Sequence, residues 1–143
     1  MATPAFINLW NNYPSENHSC DGGWDNQCAI RMSITLNAER SIQVDRNTYS
    51  EPKCGHGHAR GAESLANWLW RRHLGRPAIY TDGAAAKRTL SGKTGIIFFK
   101  DCFTRQGESR AVGDHIDLWN RGFTKTYDDP ANLSAQVWFW ELS

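Results

Sequence analysis

The hydrophobic pattern of this chain changes its period near residue 94, and that change limits the fold more than any other feature. Upstream, apolar residues recur at helical spacing. In CAIRMSITLNA (28–38) Ile30, Ile34 and Ala38 lie four apart, and Asp25 or Asn26 can cap the start. GAESLANWLWRRHLG (61–75) puts Ala62, Leu65, Ala66 and Leu69 on one helical face. Arg71, Arg72 and His73 follow in its last turn, with Gly75 as the stop. A short helix is expected over 83–90. Downstream the pattern is that of strands. GIIFFKDCF (95–103) is an apolar run of strand length, DHIDLWN (114–120) alternates, and AQVWFWEL (135–142) is aromatic-rich. Helices first and antiparallel strands after them is the α+β arrangement.

The stretches between, 11–27 and 45–61, are polar and rich in turn formers, so they read as loops. No repeat, low-complexity segment or linker divides the 143 residues, and a single domain over 1–143 is expected. Sixteen basic against 15 acidic side chains leave a net charge of +1, too little field to favour nucleic acid or an anionic lipid surface. No apolar stretch approaches the roughly 18 residues of a membrane span. MATPAFINLWNNYP has neither the basic start nor the apolar run of a Sec signal, so none is expected. Five of the seven tryptophans, Trp68, Trp70, Trp119, Trp138 and Trp140, fall in the expected elements and read as packing residues.

Two motifs lose their apparent chemistry on inspection. SGKTG (91–95) lacks the glycine that a phosphate loop needs five positions before Gly92, where Lys87 stands, and it leads into a strand. CGHGH (54–58) alternates Cys54, His56 and His58, all possible metal ligands. A structural zinc site needs a fourth ligand and wider spacing, so a loop or a disulfide through Cys54 is the default. The four cysteines, Cys20, Cys28, Cys54 and Cys102, contain no CxxC pair. Disulfides, metal binding and reduced core thiols all remain open for them.

GWDNQCAIRMS (23–33) is the sharper candidate. It sets Cys28 in the first turn of a helix, where the positive end of the dipole and the unpaired N–H groups favour thiolate over thiol. The same N–H groups can hold an oxyanion. GDHIDLWN (113–120) supplies the matching base, His115, on the strand face opposite Ile116 and Leu118 and so expected to point away from the packed side. A hairpin pivoting between Arg121 and Gly122 pairs position 115 with position 128, setting Asp128 beside His115 as the carboxylate that fixes the ring. Asp129, one step along, faces the other side. Asp117 shares the face of His115 and reads as a weaker third member or a substrate contact. Trp24 and Asp25, beside the nucleophile, are further candidates for substrate contact; loop packing and helix capping are their structural alternatives.

A helix-borne cysteine followed 87 positions later by a strand-borne histidine is the layout of papain-like and NlpC/P60 peptidases. More closely, the chain resembles the type VI secretion amidase effectors of family 4. The resemblance lies in FINLWNNYPS, DNQCAIRMSITLN, ESLANWLWRRHLGRP, GIIFFKDCF, GDHIDLWN and VWFWELS, in order along nearly the whole chain. It implies a papain-like, NlpC/P60-type fold and a bacterial toxin made in the cytoplasm without a Sec signal. Such a toxin is injected by the type VI apparatus into a neighbour's periplasm. There it would hydrolyse peptidoglycan stem peptides between γ-D-glutamate and meso-diaminopimelate. The family nucleophile maps onto Cys28, the base onto His115 and the aspartate onto Asp128. A cognate periplasmic immunity protein is the implied partner, and no metal or organic cofactor is called for. Two departures stand out: FTKTYDD (123–129) lacks the cysteine pair of several relatives, and CGHGH matches no feature of the family. The rival readings are an inert cell-wall or protein-binding module on the same fold, and a zinc hydrolase built on Cys54, His56 and His58.

Overall fold

The computed structural model describes residues 3–14, 28–55, 57–103, 113–126 and 134–143. The chain forms two compact units, Met1–Gly75 and Arg76–Ser143. The first is helical, with α1 (Phe6–Asn12), α2 (Cys28–Glu39) and α3 (Ala62–Leu69), the last running into a π-helical turn at Trp70–Leu74. The second holds β1 (Ala78–Tyr80), α4 (Gly83–Thr89), β2 (Thr94–Phe103), β3 (Gly113–Asn120), β4 (Phe123–Thr124) and β5 (Gln136–Glu141). The architecture is α+β. Among the described residues no helix is long and apolar enough to cross a membrane.

In the first unit α3 buries the expected stripe, Ala62, Leu65, Ala66 and Leu69, and adds Trp68. The stripe expected for α2 is only partly right. Ile30 is buried, but Ala38 is exposed, and Ala29, Met32, Ser33, Thr35 and Leu36 are sealed as well. The helix is packed on more than one side, which a single stripe cannot describe. The α1 helix, absent from the sequence expectations, is fastened to α2 at its middle and at its N-cap. Thr35 donates to the Leu9 carbonyl at 2.6 Å, and the Ala5 N–H donates to Glu39 at 2.9 Å. CGHGH closes a small hairpin through the Lys53–Ala59 bridge, with Gly57 at φ +85°. Its Ala59 N–H donates to the Ser33 hydroxyl at 3.0 Å, and Cys54 packs on Ile30 and Ile34 of α2. Cys54 is disulfide-bonded, so its sulfur is no thiolate ligand for zinc.

The second unit is one antiparallel sheet in the order β1-β5-β2-β3-β4. The apolar run 95–103 becomes the central strand, flanked by β3 and β5, which is why it needs no polar alternation. One face carries Ile97, Phe99, Trp119, Val137 and Phe139, clustered with Ala86 and Leu90 from the α4 region. The other carries Ile96, Phe98, Ile116 and Leu118, also buried. Asp82 caps α4 by accepting from the N–H groups of Ala84 and Ala85.

Candidate active site

Two of the expected elements, α2 and β3, carry Cys28 and His115. In the second unit β3 and β2 pair Phe99 with His115 and Ile97 with Asp117, so both polar side chains stand on the face that α4 covers. His115 does oppose Ile116 and Leu118, as alternation requires. That side is packed too, however, and His115 is only 1% exposed. The expectation that it points away from the packed side is therefore corrected: in a sheet covered on both faces, alternation selects a face without exposing it. The Phe99 ring lies parallel to the imidazole at 6.2 Å.

Among the described residues, the carboxylate beside the imidazole is Asp117. Its Oδ2 lies 2.7 Å from His115 Nε2, and the pair is sealed from solvent. The same oxygen accepts from the Thr126 hydroxyl at 2.6 Å and the Thr126 N–H at 3.1 Å. Oδ1 accepts from the N–H groups of Leu118 at 2.7 Å and Lys125 at 3.2 Å. Every contact brings a donor, which is the environment of an ionised, acceptor-only carboxylate. Nε2 must then carry the ring proton, and Nδ1 becomes the nitrogen with the lone pair. Thr126 Oγ1 also stands 3.2 Å from Nε2, closing a His–Asp–Thr triangle. The buried Asp117, occupied in this way, does not suit the substrate contact that the sequence also allowed.

The hairpin turns where expected, pairing Asn120 with Phe123 and Trp119 with Thr124. Arg121 and Gly122 take positive φ at the pivot. Asp128 and Asp129 lie outside the described residues, as do Trp24, Asp25, Cys20 and His56. In the first unit Cys28 is the first described residue of α2, buried and carrying a thiol, not a disulfide. The residue missed by sequence reasoning is Thr126, and Asp117, ranked there behind Asp128 as a third member, is the carboxylate found on the ring. The sequence signal for Asp117 was that positions 115 and 117 share a face.

Among solved structures, the Tae4 effector of Salmonella Typhimurium, crystallised with the immunity protein Tai4, superimposes with a TM-score of 0.73. It is 22% identical, over 99% of this chain and 100% of that one. The Tae4–Tai4 complex of Enterobacter cloacae gives a TM-score of 0.70 at 21% identity, with the same coverage. A crystal structure of the type VI effector Tae4 from E. cloacae gives 0.71 at 21% identity, over 99% and 98% of the two chains. At such identities the likeness carries the fold. A search by sequence among curated proteins matches none. The family model for type VI secretion system (T6SS), amidase effector protein 4, matches residues 24–140. That span is most of the sequence and takes in Cys28 and His115 alike: the chain belongs to the Tae4 family of amidase effectors.

Proposed function

We propose that the protein is an antibacterial effector that cuts peptidoglycan stem peptides at the γ-D-glutamyl–meso-diaminopimelate amide by cysteine catalysis. The observation that carries this reading is the buried His115–Asp117 pair within a chain of the amidase effector family. Residues 1–143 act as a single papain-like, NlpC/P60-type amidase domain. Cys28 Sγ attacks the scissile carbonyl carbon as thiolate, with His115 as its imidazolium partner. Asp117 fixes the ring with its proton on Nε2 and stabilises the imidazolium, the role that the hairpin register assigned to Asp128. The Cys28 backbone N–H holds the oxyanion at the helix start. Nδ1–H passes its proton to the diaminopimelate amine, which leaves, and a thioester remains on Cys28. Nδ1 then takes a proton from water, whose oxygen attacks the thioester and releases the new γ-carboxylate. Trp24 and Asp25 flank the nucleophile and contact the substrate peptide. The protein reaches the target-cell periplasm through the type VI apparatus, and a cognate immunity protein protects the producer.

Digestion of purified sacculi with wild-type and Cys28→Ala protein, followed by muropeptide chromatography, tests this reading. Wild type should release fragments ending in γ-D-glutamate, and Cys28→Ala should release none. Equal cleavage by both proteins, or cleavage at another bond, overturns it.

A further inference from the structure

The end of α3 carries a second constellation that the amidase chemistry does not use. Trp68 and His73 meet at 4.5 Å between ring centroids, edge to face. Five positions apart, they would not face each other on an α-helix, whose neighbours are three and four apart. The π-helical turn at Trp70–Leu74 has the i→i+5 repeat that brings them together, and such turns cluster at functional sites. Gly75, at φ +75°, ends it.

Two adjoining cavities of about 490 and 550 Å³ open here, both walled by Ser50, Trp68 and Arg72. Glu51 and Arg71 complete the first. Gln43 and His73 extend the second. The charges are unevenly matched. Arg71 stands 3.8 Å from Glu51, whereas Arg72 makes no hydrogen bond or ion pair among the described residues. Burial and the neighbouring Arg72 hold His73 below its ordinary value, so at neutral pH it adds a polar ring and no charge. Arg71 and Arg72 against Glu51 therefore leave about one positive charge, which suits a monoanion. A guanidinium fork pairs with a carboxylate through two parallel hydrogen bonds. The Ser50 hydroxyl and the Gln43 amide at the rim suit the peptide groups that flank such a carboxylate.

We propose that this cleft binds a carboxylate-bearing segment of a cell-wall stem peptide, with Arg72 as its principal contact. The proposal rests on the wall-amidase reading above and adds a binding site made by residues 43–73. The probe is a disaccharide tripeptide muropeptide, in its free-acid form and with its carboxyls amidated, titrated into the full-length Cys28→Ala protein. Calorimetry gives the affinity, and the His73 ring resonances report occupancy of this cleft. The free acid should bind and raise the pH at which His73 titrates, because a nearby anion favours imidazolium. Arg72→Gln, an exposed substitution, should weaken binding about tenfold or more, and amidation of the probe should do the same. Equal binding by Arg72→Gln, or of the amidated probe, or an unmoved His73, overturns the proposal. Sacculus digestion run in parallel separates the two readings. If wild type cleaves while Arg72→Gln binds unchanged, the cleft assignment alone fails. If wild type cleaves nothing while the probe still binds through Arg72, the amidase reading alone fails.

Discussion

Asp117 lies two residues beyond His115 on the same strand, and its Oδ2 meets the imidazole Nε2 at 2.7 Å with both side chains closed to solvent. Successive same-face positions of a strand seldom bond, since the side chains run parallel to each other and away from the backbone. Here the Asp117 carboxylate is bent toward the ring and held there by two β4-side amides and one hydroxyl. The imidazole orientation thus depends on the residues that follow β4 as much as on β3 itself.

Asp117→Asn tests that dependence. The new amide can still accept from Leu118 and Lys125, but its NH2 would face Nε2 and force that nitrogen to accept, moving the ring proton to Nδ1. Turnover on sacculi should fall roughly 10³–10⁴-fold, the scale of losing the equivalent carboxylate in a serine triad. Nitrogen NMR of the His115 ring should show the tautomer reversed. Asp128→Asn, measured alongside, should cost far less; a larger loss there returns the orienting role to Asp128.

Thr126→Val removes the hydroxyl bonded to Asp117 at 2.6 Å and leaves the side-chain volume nearly unchanged. A hydrogen bond to a charged group contributes about 1.5–3 kcal/mol, so chemical denaturation should register a loss in that range. Turnover should fall less than in Asp117→Asn. Because both residues serve one network, the double variant should lose less than the two single losses added together.

Much of this was legible in the residue pattern, and the exceptions have physical causes. Leu65, Ala66 and Leu69 were placed in the core by spacing alone, and the turn at Arg121–Gly122 fixed the hairpin pivot. Extending that register to residue 128 assumed a ladder that continues. The β4 strand instead ends at Thr124; the Lys125 N–H is shared between the Leu118 carbonyl and the Asp117 carboxylate, and the Thr126 N–H turns to that carboxylate. Side-chain capture of backbone donors is invisible to a register argument. The α1 helix was missed because seven residues lie below the length at which a helix holds alone. Its supports, Glu39 and Thr35, come from another helix. The π-helical turn leaves no periodic mark, since it alters one turn only.

Glu39 carries a pH dependence of known sign. Partial burial raises its carboxyl, but hydrogen bonds from Ala5 and Ser41 outweigh that and hold it below the ordinary carboxylate range. A carboxyl depressed in the folded state contributes stability above its unfolded value and loses it as pH falls through the folded one. Glu39→Gln should therefore unfold at a lower temperature than wild type at pH 7, and the gap should close as pH falls below the ordinary carboxylate range. Hydrogen exchange at pH 7 should quicken first in residues 6–12, because Glu39 accepts from the Ala5 N–H just ahead of them.

Gly95 and Gly92 should answer differently to the same substitution. Gly95 sits on β2 between Trp119 of β3 and Glu141 of β5. A Cβ there would overlap the Trp140 carbonyl and press on the Phe139 ring at 2.9 Å. A backbone carbonyl within a ladder cannot step aside, so Gly95→Ala should cost about 3 kcal/mol or more and spread the central strands. Gly92 has φ +84°, and an alanine Cβ at that position would meet nothing within 4 Å. Only backbone strain opposes alanine there, about 1–2 kcal/mol. Urea midpoints of the two variants measure the difference. Position 95 shares its sheet face with positions 97 and 99, which pair with Asp117 and His115. Gly95→Ala should therefore also disturb the His115 ring resonances, and Gly92→Ala should leave them in place.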